Sequence, residues 1–226
     1  MGVKDADTNY RPIYDLKTNE KTSQHARLKD FVDKLNTLQG AEFITYMETH
    51  FEVDRFLRYL AMGIYINNID DYRFLANNYY LYFKQNGKAE FIPYDFDISL
   101  GAGWHGDMDY KRFIHQDIFN TTSIPQSWGD RSGRPLVDKL LAVEQYRKKY
   151  VQYLQDYIRP ANRLFLFSEY KRTFEKLFSI YKGKDVNDTA DKDPLGWQGY
   201  ESQYFSDKTK DVLDQLGLPH TGYEVD

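Results

Sequence analysis

The sequence predicts an α+β fold, mainly helical and organised around one strong β-hairpin. Apolar residues recur at helical spacing in several separate stretches, while two aromatic-rich runs between Asn78 and Tyr94 flank an Asn-Gly turn signal. The composition fits such a core: 41% of the 226 residues are hydrophobic, and 20 Tyr and 15 Phe favour an interior rich in rings with polar tips.

Residues 1–22 form a polar lead-in, with Asn9-Tyr10-Arg11-Pro12-Ile13-Tyr14 readable as a short strand. Leu28, Phe31, Val32, Leu35 and Leu38 then recur at helical spacing. Thr22 or Ser23 is placed to cap this first helix and Gly40 to close it. A short helix over about Ala41–His50 carries Phe43, Ile44 and Met47 on one face. A longer one opens at Glu52 or Asp54, and its stripe of Val53, Phe56, Leu57, Leu60, Ala61 and Ile64 delivers the chain to Asn67, Asn68 and Asp70.

The hairpin follows. Asn78–Phe83 and Ala89–Tyr94 are its strands, and Gln85-Asn86-Gly87-Lys88 reads as a type I′ turn. An antiparallel pair brings its open ends together, so Asn78 and the acidic pair Asp70 and Asp71 are expected near Asp95 and Asp97. Carboxylates gathered in that way call for a cation.

Residues 98–133 are irregular and glycine-containing, a length of chain that usually signals function or mobility. Helical spacing resumes at about Pro135 and runs through Tyr146, Tyr150, Leu154 and Ile158 to a stop at Pro160. Phe167–Tyr181 reads as another amphipathic helix, Lys184–Gly199 as a charged loop, and Ser206–Leu216 as the last helix, ended by Gly217 and Pro219.

Several function classes fall away. A net charge of −4 with mixed signs and no basic stripe argues against nucleic acid as a partner. No apolar run approaches ~20 residues, which argues against membrane insertion. The absence of cysteine removes thiolate metal sites and cysteine nucleophiles. His25, His50, His115 and His220 lack zinc spacing, and Ser99 has no G-x-S-x-G setting. Trp104-His105-Gly106-Asp107 and Asp107-Met108-Asp109 read as solvated loop residues.

Asp95-Phe96-Asp97 stands where the second strand leaves its ladder, a place from which two carboxylates can reach one divalent ion. Alone, a DxD reads equally well as solvated loop acids. In company with Asp70 and Asn78 it completes an order Asp, Asn, Asp, the order in which a protein kinase presents its base and its magnesium ligands.

These residues carry a resemblance. N-I-D-D-Y, N-N-Y-Y-L-Y and G-K-A-E-F-I-P-Y-D-F-D-I-S-L-G resemble the motifs of the CotH family, close to N-x-D, N-[YF]-Y-L-Y and P-W-D-x-D-x-[ST]-[FW]-G. V-D-R-F-L-R-Y-L-A resembles the family's approach helix, and weaker similarity extends from about Tyr14 to Leu216. Tyr94 replaces the family's tryptophan and Leu100 its phenylalanine or tryptophan. The family is known for secreted atypical kinases of protein kinase-like fold and is named for a spore coat protein.

The resemblance implies that residues 23–226 form the mainly helical C-terminal lobe of such a kinase. It makes Asp70 the catalytic aspartate, and Asp95 and Asn78 metal ligands with Asp97 in support. Mg2+ or Mn2+ and ATP are the implied cofactors, and a secreted or surface protein the implied substrate. Asp71 is the rival base that spacing alone does not separate from Asp70. A kinase also needs a phosphate-binding lysine and a glycine-rich roof, and only 69 residues precede Asp70. Neither Lys17 nor Lys21 is marked for that role. The expectation is therefore the C-terminal part of a longer kinase, inactive by itself, against an alternative of a non-catalytic surface, spore-coat or assembly module. Metal-dependent hydrolysis or glycosyl transfer through DxD lacks a second motif.

Overall fold

Among the described residues, each stretch with apolar side chains at helical spacing is a helix. The computed structural model describes residues 15–19, 21–22, 25–101, 114–121, 133–181 and 201–223. The readings for Asn9–Tyr14, Ser23, Trp104–Asp109 and Lys184–Gly199 lie outside them. Helix α1 is Ala26–Thr37, α2 Gly40–His50 and α3 Val53–Ile66. Strands β1, Tyr79–Phe83, and β2, Ala89–Pro93, form the one sheet seen among these residues. They are followed by α4 at Pro135–Ala142, α5 at Glu144–Ile158, α6 at Phe167–Tyr181 and α7 at Glu201–Leu216. Helices with a small antiparallel sheet agree with the α+β expectation. No helix among the described residues is long and apolar enough to cross a membrane.

The chain groups into two compact units, one built from residues up to Val53 with Tyr82–Glu90, the other from Asp54–Leu81 and from Phe91 onward. In the first, α1 packs on α2. Leu28, Phe31 and Leu35 are buried on α1, and Phe43 and Met47 on α2. The Phe31 ring lies 5.5 Å from Phe51 and meets Phe83 edge-on at 6.1 Å. Lys84 bridges Glu52 and Glu90 at 2.8 Å each. Two helix ends differ from the sequence reading. His25 rather than Thr22 takes the N-cap of α1, in a left-handed conformation. Gly40 does not close α1 but opens α2, where its φ of 53° turns the chain after the extended Leu38 and Gln39.

In the second unit, α7 packs against α5 and α6. Three of its tyrosines bury their rings and direct their hydroxyls to main-chain carbonyls. Tyr204 donates to Tyr65 O at 2.6 Å, Tyr65 to Leu154 O at 2.6 Å and Tyr150 to Ile118 O at 2.9 Å. The helical run expected from Pro135 to Pro160 is broken at Val143, which is extended and accepts from the amides of Tyr146 and Arg147 as α5 restarts. Helix α7 begins at Glu201, five residues ahead of the expected Ser206.

The hairpin departs from expectation at its tip. Lys84 N donates to Lys88 O at 2.9 Å and Gly87 N to Lys84 O at 3.1 Å. The loop is therefore the three residues Gln85–Gly87, with Gly87 alone at positive φ, 90°. A type I′ turn needs positive φ at two residues; here a Lys84–Gly87 turn ends on one positive-φ glycine, which makes the loop one residue longer than a type I′ hairpin. In this register Asn78 pairs with Tyr94 and Tyr80 with Ile92, and Tyr94 N donates to Asn78 O at 3.1 Å. Tyr79, Leu81, Phe91 and Pro93 share the inward face, and Tyr80, Ile92 and Tyr94 the exposed one.

Candidate functional site

Two loops meet at the open end of the hairpin, one from Asn67 to Asn78 and the other from Tyr94 to Leu100. Ile69 N donates to Ile98 O at 3.3 Å and Leu100 N to Ile66 O at 2.5 Å. Asn68 ties the loops a third time, its Nδ2 donating to Asp95 O at 2.7 Å while its Oδ1 accepts from Asp70 N at 3.0 Å. Asn67, Ala76, Asn78, Asp95 and Leu100 all take left-handed φ between 52° and 61°. Asn and Asp adopt that region readily, whereas Ala76 and Leu100 pay about 1–2 kcal/mol each, so their loops are held against local preference.

Asp70 is half-buried, and both of its oxygens are oriented. Asn77 Nδ2 donates to Oδ1 at 2.7 Å, and Asn78 Nδ2 to Oδ2 at 3.0 Å and to the Asp70 carbonyl at 2.9 Å. Asn78 thus commits its NH2 group to Asp70, and its Oδ1 is the atom left for a ligand. Asp95 and Asp97 are exposed, and their carboxyl groups lie close enough to interact. Partial desolvation, then the closeness and charge of Asp95, then the charge of Asp70 raise the Asp97 carboxyl from its ordinary value. The structure therefore brings together Asp70, Asn78, Asp95 and Asp97.

Asp71 does not join them. It is 5% exposed, accepts from Tyr59 OH at 3.0 Å and from Phe74 N at 2.8 Å, and its carbonyl takes the amides of Leu75 and Asn77. Burial pushes its carboxyl up, although these bonds and the Arg73 charge oppose the shift. Asp71 builds the turn and Asp70 faces the site. Next to the acids, Tyr80 and Tyr94 stack at 4.7 Å between ring centroids and are exposed, as is Phe96.

Hard oxygen donors at two neighbouring carboxylates and one amide suit a small divalent cation. Among the described residues no three His, Asp or Glu side chains are gathered tightly enough to hold an ion alone. A metal here would share its shell with phosphate oxygens and water, the usual arrangement for magnesium.

A family model described as CotH kinase protein matches residues 2–216. The chain belongs to the CotH family. Inner spore coat protein H of Bacillus subtilis (strain 168) is 25% identical over 237 aligned residues, which cover 95% of this chain and 59% of that protein. The CotH-family chain therefore spans about 59% of the length of this curated relative.

Sequence reasoning for this CotH-family chain missed Asn77 and the tie made by Asn68. Both are asparagines beside a motif residue, and only the loop geometry separates them from ordinary turn amides. It also missed the buried arginines Arg73, which ties the loop that carries Asp70 to Gln116, and Arg134, which donates to a carbonyl of that loop.

Proposed function

We propose that this CotH-family chain provides the catalytic part of an atypical protein kinase, a lobe of protein kinase-like fold that transfers a phosphoryl group from a nucleoside triphosphate to a protein hydroxyl. The carrying observation is the meeting of Asp70, locked by two asparagine amides, with Asn78 and the Asp95–Asp97 pair at one end of one hairpin. The family model's description supports the same reading.

Asp95, Asp97 and Asn78 Oδ1 would hold a divalent ion, which when bound neutralises charge on the phosphates. Asp70 orients the acceptor hydroxyl and takes its proton. Its two amide donors fix the direction of its remaining lone pairs, so the base is aimed before substrate arrives. Phosphoryl transfer rests on positioning and electrostatics, so these groups carry the chemistry once the nucleotide is held.

The test uses the full-length natural protein, labelled nucleoside triphosphate and a protein acceptor. Asp95→Asn removes one ligand charge and keeps its shape, so magnesium-nucleotide affinity measured by calorimetry should fall together with turnover. Unchanged affinity and unchanged turnover in Asp95→Asn would remove the site from the reaction. The relative's name, inner spore coat protein H, favours a second reading, a non-catalytic coat or assembly module at a spore or cell surface. On that reading the full-length protein transfers no phosphate at all.

A further inference from the structure

The loop that presents Asp70 is closed at its ends by the bonds of Asn77 and Asn78, and its middle is held by two guanidinium groups. Arg134 is 4% exposed and projects from the residue before α4. Its Nε donates to Tyr72 O at 2.9 Å, its Nη2 to Phe74 O at 2.6 Å and its Nη1 to Gly133 O at 2.9 Å. Its own backbone is fixed in turn, with Arg134 N donating to Asp138 Oδ2 at 2.7 Å and to Thr121 Oγ1 at 3.1 Å. Arg73, also 4% exposed, reaches away from the loop to Gln116 Oε1 at 2.9 Å and to Asp117 O.

Neither guanidinium donates to a carboxylate among the described residues. Among the described residues Arg73 Nε is buried without a hydrogen-bond partner. Burying a guanidinium that forms no salt bridge is costly even with the Asp71 charge near Arg73 and the Asp138 carboxylate on the Arg134 backbone, and an apolar side chain of similar volume would fill the space more cheaply. What an arginine gains in return is direction. Its planar fork fixes the carbonyls of residues 72 and 74 in one plane, which a lysine's single point of attachment cannot do. Those carbonyls lie between Asp70 and its partners Asn77 and Asn78.

We infer that Arg134 is a positioning residue for Asp70, clamping the loop by its main-chain carbonyls, with Arg73, itself in the loop, tethering the same segment to Gln116 and Asp117. The kinetic consequence rests on the phosphoryl-transfer reading above, while the clamp itself does not. A base displaced by ~1 Å can lose ~100-fold in rate. The Arg134 guanidinium bonds only to main-chain carbonyls and to none of the Asp70, Asn78, Asp95 and Asp97 side chains, so nucleotide binding should be spared.

The experiment compares wild type, Arg134→Met and Arg134→Lys in the full-length natural protein, reading amide hydrogen exchange and steady-state kinetics together. In Arg134→Met the amides of residues 72–78 should exchange at least ~10-fold faster while those of α5 stay protected. The kcat should fall ~10- to 100-fold with nucleotide KM nearly unchanged. Arg134→Lys should fall between, and it carries the test if the methionine variant does not fold. Unchanged exchange in the loop would overturn the clamp, and so would equal loosening of the loop and α5, which marks a merely structural residue. A loosened loop with wild-type kcat would overturn the positioning role. If wild type transfers no phosphate while the variant loosens the loop alone, the clamp stands and the phosphoryl-transfer reading falls.

Discussion

Lys208 offers a quantitative test of the packing of α7. Its side chain is fully buried, donates to Ile114 O at 2.5 Å and lies 3.9 Å from Asp211, whose Oδ1 also meets His115. Burial lowers its amine to about 7, with Asp211 opposing the shift and Arg73 adding to it. An unfolded lysine titrates at ~10.4, so between pH 7 and pH 10 the unfolded chain holds a proton that the folded chain has released. Stability must then rise with pH across that window, by up to ~1.4 kcal/mol per pH unit and by roughly 2 kcal/mol from pH 7 to pH 9. The penalty is fully developed below pH 7 and disappears above the unfolded value. Buried Tyr59, Tyr65 and Tyr204, raised by desolvation, act in the opposite sense, but only near and above pH ~10. The assay is urea unfolding at pH 7, 8 and 9 for wild type and Lys208→Met. The methionine variant should be the more stable of the two at pH 7 relative to pH 9, because its curve lacks the rise. Parallel pH profiles for the two proteins would show that Lys208 is not a buried amine and would refute the reasoning.

The neighbouring acids should separate cleanly. Asp71→Asn places an NH2 group against Phe74 N or Tyr59 OH and should cost ~1–3 kcal/mol of stability in denaturant melts. Asp70→Asn sets an NH2 group against Asn77 or Asn78 Nδ2 at a half-exposed site and should cost less stability than Asp71→Asn, yet cut turnover of the full-length protein by ~100-fold or more; normal turnover in that variant would reassign the base. Gly87→Ala should cost ~1–2 kcal/mol by thermal melting, because its φ of 90° is unfavourable to a side chain even though a Cβ there meets nothing within 4 Å. A neutral result at Gly87 would mean that the loop re-forms with another turn.

Much of the fold was legible because burial on a helix face repeats at a fixed interval. The stripe of Phe56, Leu57, Leu60, Ala61 and Ile64 announces α3 and is buried in it. The aromatic-rich runs on either side of Asn86-Gly87 announce the two strands, whereas which face of Tyr79–Phe83 is open shows only in its alternating burial. What was not legible depends on partners distant in sequence. Val143 breaks a continuous helical pattern with no glycine or proline to mark the place. Two adjacent aspartates differ because Tyr59 of α3 and Phe74 N take one of them. Lys208 left a trace that was readable in principle. Tyr204, Phe205, Val212 and Leu213 form the buried stripe of α7, and Lys208 with Thr209 occupies its middle rung. A charged residue inside an apolar stripe signals a buried amine once the helix is extended back to Glu201. The meeting of Asp70, Asn78, Asp95 and Asp97 followed from the antiparallel pairing, but the asparagine and arginine braces around Asp70 did not.

The hairpin also decides which changes of length the chain can absorb. Side chains alternate from one residue to the next along a strand, so a single residue added between Asn78 and Phe83, or between Ala89 and Tyr94, would turn every later side chain to the opposite face. Asn78 and Asp95 would then no longer arrive together. A residue added within Gln85–Gly87 changes only the tip, and doubling a loop's length costs only ~0.6 kcal/mol in closure entropy. The interval between the asparagine and the acidic pair is thus elastic at one point and rigid everywhere else. A peptide tag or reporter inserted at the tip would leave the open end intact, while one insertion in either strand would erase it.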